Sequence, residues 1–134
     1  MKAPVVIRNA MLDAIRASYN SGYIRCYAGT KPTDGDAALS GNTLLAELRF
    51  GATAFPAASG GVLTANAITA DSSADATGSC TFIRCFQSDG TTRLGDFTVS
   101  TTGGGGEAQF ASLAFVSGVT ISLSSFTITN VIGT

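Results

Sequence analysis

The sequence predicts an all-β protein: an antiparallel β-sandwich, jelly-roll-like, with one N-terminal helix. Three observations carry this. Short runs rich in Val, Ile, Thr, Phe and Tyr recur through the 134 residues and are strand-prone. Clusters of Gly, Pro, Asp and Asn punctuate them as turns. Helical spacing of apolar residues occurs in one segment, near the N-terminus. The length suits one domain with a real core. The chain divides into an N-terminal arm and helix, residues 1–22, and a β-sandwich domain, residues 23–134.

The helix comes first. Pro4 suits a first helical turn. Ile7, Met11, Leu12 and Ile15 form an apolar stripe, with Arg8, Asn9, Asp13 and Arg16 on the other side. Asn20-Ser21-Gly22 ends the element, Gly22 being able to take positive φ. Such a helix needs a partner face, either a sheet of its own chain or a neighbour.

Strands and turns follow. Tyr23 to Ala28 is a strand, and Gly29 to Asp36 a long polar turn. Leu44 to Phe50 alternates, with Glu47 and Arg49 on one face and Leu44, Ala46, Leu48 and Phe50 on the other. Gly51 to Gly61 is a loop, Val62 to Ile68 a strand of small residues, and Asp71 to Gly78 a second loop. Cys80 to Phe86 and Arg93 to Ser100 form a hairpin around Ser88-Asp89-Gly90-Thr91, since Asp-Gly is the strongest short hairpin signal. Thr101 to Gly106 reads as a flexible loop tip. Ala108 to Val116, Val119 to Ser124 and Phe126 to Val131 complete the strands. The irregular connection lengths suit a jelly-roll-like sandwich better than an up-and-down barrel.

One internal echo stands out. Tyr23-Ile24-Arg25-Cys26-Tyr27 matches Phe82-Ile83-Arg84-Cys85-Phe86. Period-2 alternation sets each arginine between two aromatics on one face, and Ile with Cys on the other. The echo reflects either β-propensity alone or two neighbouring strands, with arginine stems packed between rings.

Charge is sparse. Charged residues make up 13% of the chain, where an ordinary domain has about a quarter. From Phe97 to Thr134 there is one, Glu107. This points to surface covered by other protein. Bare uncharged strand edges invite association, so the C-terminal strands are expected either inside the sandwich or paired against a neighbouring copy. The 8 basic and 9 acidic residues are scattered and sum to −1, which disfavours nucleic-acid binding. Ala3 to Ile7 is too short for a signal-peptide core or a membrane span, and Arg8 and Asp13 break it. Synthesis in a cytoplasm without export is expected.

Catalytic chemistry has no visible carrier. The chain has no histidine, so neither Ser nor Cys85 has its usual base. No Gly-x-Ser-x-Gly elbow occurs. Asp34/Asp36, Asp71/Asp75, Asp89 and Asp96 read as turn formers rather than the paired carboxylates of a glycosidase. Asp71 to Asp75 offers oxygens but is not an EF-hand loop. Gly103 to Gly106 lacks the Lys-Ser/Thr of a phosphate loop. No enzyme activity, cofactor or metal is expected. Cys26, Cys80 and Cys85 fit no zinc pattern. On one strand, Cys80 and Cys85 would lie roughly 16 Å apart and face opposite sides. The three read as buried small hydrophobes, with a Cys26–Cys85 disulfide as the alternative.

Several stretches carry a family resemblance. They are Asn9 to Ile15, Tyr27-Ala-Gly-Thr-Lys-Pro-Thr33, Leu44-Leu-Ala-Glu-Leu-Arg-Phe50, Val62-Leu-Thr-Ala-Asn-Ala-Ile68, Ala74-Asp-Ala-Thr-Gly78, Ser88-Asp-Gly-Thr91 and Ser125-Phe-Thr-Ile-Thr129. Together the chain resembles small virion proteins of tailed bacteriophages. The resemblance implies a phage or prophage particle component, made in the host cytoplasm. It favours a capsid decoration or cement protein clasping neighbouring capsid subunits. A tail, collar or fibre module is the alternative, although no coiled-coil or collagen-like stalk is present. A carbohydrate-binding or adhesive sandwich is the second alternative; its one aromatic outside core-like patterns is Tyr19.

The implied partners are the major capsid protein or other virion proteins, within a homo-oligomer such as a trimer, with neither nucleic acid nor membrane. The expected interface is the N-terminal segment (Val5, Val6, Ile7 and Met11) together with the uncharged C-terminal strands (Phe126, Ile128 and Val131).

Overall fold

A computed structural model describes residues 1–132. It is an all-β, sandwich-like fold with one N-terminal helix. Helix α1 spans Val5–Arg16 and runs into a 3-10 turn, Ala17–Tyr19. The strands are β1 Tyr23–Ala28, β2 Thr43–Phe50, β3 Val62–Thr64, β4 Ile68–Thr69, β5 Gly78–Ser79, β6 Phe82–Phe86, β7 Arg93–Phe97, β8 Val99–Thr101, β9 Ala108–Phe110, β10 Ala114–Phe115 and β11 Leu123–Thr129. One sheet has the order β4-β2-β1-β6-β7, the other β3-β11-β9-β8, and β10 pairs with β5. The chain passes repeatedly between sheets, as the irregular connections lead one to expect.

Pro4 lies just outside α1: its carbonyl accepts from the Ile7 and Arg8 amides, and the helix begins at Val5. At the far end Ser21, not Gly22, takes positive φ, at 54°. Gly22 is needed for another reason. A Cβ there would meet the Phe86 carbonyl oxygen at 2.4 Å and that of Tyr19 at 2.9 Å. The two backbones touch, and only glycine allows it.

Several predicted strands are shorter or divided, and each break is a crossing between sheets. Val62 to Ile68 splits into β3 and β4, because Ala65 donates to Phe126 and Asn66 to Ala54. Arg93 to Ser100 splits at Thr98 into β7 and β8, one in each sheet. Ala108 to Val116 divides into β9 and β10, and Val119 to Ser122 is irregular apart from Ile121, which bridges Asp71, before β11 begins at Leu123. In β2 the register slips opposite Cys26 and Tyr27. That bulge turns Leu45 into the core, fully buried, and leaves Leu44 only half-buried, where simple alternation puts Leu44 inside.

The Gly103 to Gly106 run is a built reversal rather than a flexible tip. β8 and β9 pair in parallel, Val99 with Ala108, with only six residues between the strands, where parallel pairs ordinarily need a long crossover. The returning chain lies against Ser100: the Gly106 amide donates to Ser100 Oγ at 2.9 Å. A Cβ on Gly106 would stand 2.6 Å from the Ser100 nitrogen.

Core side chains come from both sheets. Phe126 of β11 packs on Phe97 (5.1 Å between centroids) and Phe50 (5.8 Å). Tyr19 sits edge-on to Phe50 and Phe55. Leu12 and Tyr19 belong to this same cluster, so the boundary at residues 22/23 separates helix from strands and not two cores. Cys26, Cys80 and Cys85 are buried free thiols with no Cys26–Cys85 bond.

The echoed pentapeptides are adjacent, antiparallel strands. Tyr23 pairs with Phe86, Arg25 with Arg84 and Tyr27 with Phe82. The arginine face points away from the core, and the loop 29–42 partly covers it, with Arg93 Nη1 donating to the Asp36 carbonyl and Gly35 meeting Gly95.

Candidate interaction surface on helix α1

Helix α1 is amphipathic the wrong way round. Asn9, Asp13, Arg16 and Asn20 recur at i, i+4, i+7 and i+11 and therefore share one side. That side faces the protein. Asn9 Oδ1 accepts from the Gly61 amide and Asp13 Oδ1 from the Ala58 amide, both at 2.8 Å. Arg16 Nη1 donates to the Phe55 carbonyl at 3.0 Å, and Asn20 Oδ1 accepts from the Ala54 amide at 2.9 Å. The loop Gly51 to Gly61 forms few backbone pairs of its own, and these four side chains engage four of its backbone groups. Arg16 also pairs with Asp13 at 3.2 Å. Leu12 is the one fully buried side chain of α1.

The opposite half of the helix faces outward and is wholly apolar. At 100° per residue, Val6, Ala10, Ala14, Ile7, Met11 and Ile15 fill a continuous half-circle. Val6 is 66% exposed, Ile7 45% and Ile15 42%; Ala10 and Ala14 are exposed, and Met11 is half-buried. The Met11 sulfur accepts from Asn130 Nδ2 at 3.3 Å, which brings the C-terminal segment alongside. Val5 and Val131 are exposed as well.

The seven expected interface residues thus part company. Val5, Val6, Ile7 and Val131 are on the surface, and Met11 lies at the margin. Phe126 and Ile128 are not available: both are buried, because β11 lies between β3 and β9 and turns them into the core. The C-terminal strand is internal to the sandwich, one of the two arrangements its missing charge predicts. Ile15, Ala10 and Ala14 were absent from the expected set. The signal for them lay in the spacing of the short polar side chains, which marks the docked side and so the free one.

The other candidate chemistry is structural. Asp34 Oδ1 accepts from the Asp36 and Ala37 amides. Asp71 accepts from Glu47 and Ser73, and Asp89 from Thr91 and Thr92. Arg84 and Asp96 form a buried ion pair through two bonds, of 2.6 and 2.9 Å. Burial pushes the Cys85 thiol well above its usual pKa, so it stays protonated and unreactive. The Cys26 and Cys80 thiols hydrogen-bond, raising the first and lowering the second. Tyr19, the one candidate sugar platform, is buried because the 3-10 turn swings it inward; of all eleven aromatic residues only Tyr23 escapes burial. Among the described residues no group of His, Cys, Asp and Glu could hold a metal, and no helix is long and apolar enough to cross a membrane. Comparison with protein families, with curated proteins and with solved structures finds no match for this chain.

Proposed function

We propose that this protein is a structural subunit of a bacteriophage or prophage particle, a decoration or cement protein of the capsid, and that the outward face of α1 is its assembly contact. One observation carries the reading. A helix that turns its charges inward and leaves Val6, Ile7 and Ile15 in solvent is costly alone, because exposed apolar area is unfavourable, and a contiguous apolar patch marks a contact surface. The bacteriophage setting comes from the sequence resemblance.

The size of the patch fits an array. The face offers six side chains and a few neighbours, whereas a stable pairwise interface uses roughly 20–30 residues a side. A single contact of this size is weak. Repeated over many copies on a shell it becomes strong by multivalency, and it stabilises the assembled form over free subunits. The buried aromatic rings argue against the carbohydrate-binding alternative.

Imaging particles from the source by electron microscopy, with this chain labelled, tests the reading. Label on the head supports it. Label on the tail keeps a virion role and moves its place; absence of the chain from purified particles overturns it. Ile7→Asp, a surface change, is expected to fold normally and to fail to enter particles.

A further inference from the structure

We infer that Cys26 and Cys80 are a redox pair: oxidation closes them to a disulfide that ties β1 to the link between β5 and β6, and reduction reopens it. Two observations place the sulfurs together. The first is in the backbone. Tyr27 and Thr81 are joined directly, the Tyr27 carbonyl accepting from the Thr81 amide at 2.9 Å and from the Thr81 hydroxyl at 3.2 Å. Cys26 and Cys80 each immediately precede one member of that joined pair. The second is in the side chains. Both cysteines turn into the same buried cluster, where the Cys26 thiol hydrogen-bonds to the Cys80 sulfur. Cys85 lies within the β6 ladder opposite Ile24 and is left as a free thiol. A disulfide brings its sulfurs to about 2.0 Å, closer than a hydrogen bond does. The Cys80 side supplies that movement, because Cys80 and Thr81 lie between β5 and β6 and belong to neither strand.

The oxidant is a hydroperoxide, hydrogen peroxide being the simplest. Cys80 is the sulfur it meets first. Cys80 is 3% exposed and Cys26 0%. Donation from the Cys26 S–H also lowers the Cys80 pKa, which favours the nucleophilic thiolate. The Cys80 thiolate attacks one peroxide oxygen and the O–O bond breaks. The departing hydroxide takes up the proton that the thiol had lost and leaves as water, with Cys80 now a sulfenic acid. The Cys26 sulfur then attacks the Cys80 sulfur. The S–S bond forms, the S–O bond breaks, and the hydroxide leaves with the Cys26 proton as a second water. Two electrons pass from the thiol pair to the peroxide. The bond encloses β2 to β5 in one covalent loop, and so restricts the unfolded chain.

The test treats the folded full chain with hydrogen peroxide, alkylates the remaining thiols and maps the unreduced peptides by mass spectrometry. The expected product is a Cys26–Cys80 linked peptide, lighter by two hydrogens than its separate parts, with Cys85 alkylated. Dithiothreitol is expected to restore all three thiols. The oxidised chain is expected to melt about 10 °C above the reduced one, and Cys80→Ala to show no such rise on oxidation. The mapping is made on the wild type, so it stands whether or not the variant folds. Three free thiols after peroxide overturn the pair. So do a Cys80 carried on to sulfinic acid beside a free Cys26, a bond to Cys85, and a bond between two chains. A Cys26–Cys80 bond that leaves the melting temperature unchanged or lowers it overturns the lock.

Discussion

Arg25 and Arg84 stand directly opposite each other across the β1–β6 pair. Two like charges in cross-strand register repel, and the sheet answers from both flanks. Glu47 of β2 is in register with Arg25, and Asp96 of β7 with Arg84. Four strands therefore carry one transverse row in the order Glu47, Arg25, Arg84, Asp96. The Arg25 guanidinium also lies over the Phe86 ring at 4.4 Å, and that of Arg49 over Tyr23 at 3.9 Å.

The two ion pairs of this row differ in depth. Arg84 and Asp96 are 1% and 6% exposed, Arg25 and Glu47 23% and 35%. Asp96→Asn leaves a buried guanidinium without its counter-charge and is expected to cost about 3–5 kcal/mol. Glu47→Gln is expected to cost less than about 1 kcal/mol. Urea unfolding of both variants checks the contrast.

The inverted helix reverses the usual mutational pattern. Asp13→Ala leaves the Ala58 amide without its partner and should destabilise by about 1–3 kcal/mol. Val6→Ser and Ile7→Ser, both on the outward face, should change stability by no more than about 0.5 kcal/mol. Thermal melts of the three separate this arrangement from an ordinary amphipathic helix, for which the ranking reverses.

Within the glycine run the cost of a methyl depends on position. Gly106→Ala sets a Cβ against the Ser100 backbone and is expected to cost at least about 1–3 kcal/mol through overpacking. Gly103 has φ +84° and nothing within 4 Å, so Gly103→Ala should cost only the left-handed backbone term, about 1–2 kcal/mol. Denaturation midpoints rank the two.

Asp89 anchors the β6–β7 turn in a pH-dependent way. Its carboxylate accepts from the Thr92 hydroxyl and from the Thr92 and Thr91 amides, which lowers its pKa to about 2 from the ordinary 3.8. A depressed folded pKa stabilises above the unfolded value and is lost as the group protonates in the fold. The contribution is therefore complete above about pH 4 and disappears as pH falls through about 2. Amide shifts of Thr91 and Thr92 followed by NMR should titrate in that window.

Much of this was legible in the sequence, for reasons of period. The alternation of Tyr23–Tyr27 and Phe82–Phe86 gave two strands and their faces, and Asp89-Gly90 gave the hairpin. The crossings at Ala65 and Thr98 were not legible, because β-propensity is blind to a change of sheet. The candidate surface was half legible. Val5, Val6 and Ile7 were identified, but Phe126 and Ile128 were drawn in by the absence of charge, which buried and covered strands share. Ala10 and Ala14 say nothing until the docked side of the helix is known.

β2, the longest strand, has a closed rim. β4 pairs with Arg49 and Phe50, the Asp71 carboxylate takes the Glu47 amide, and the Asp75 amide takes the Leu45 carbonyl. Copies crowded side by side would otherwise reach local concentrations that reward strand exchange between neighbours, and a nearly neutral chain has little repulsion to prevent it. With those backbone groups already engaged, this rim offers a neighbouring copy no template for strand pairing.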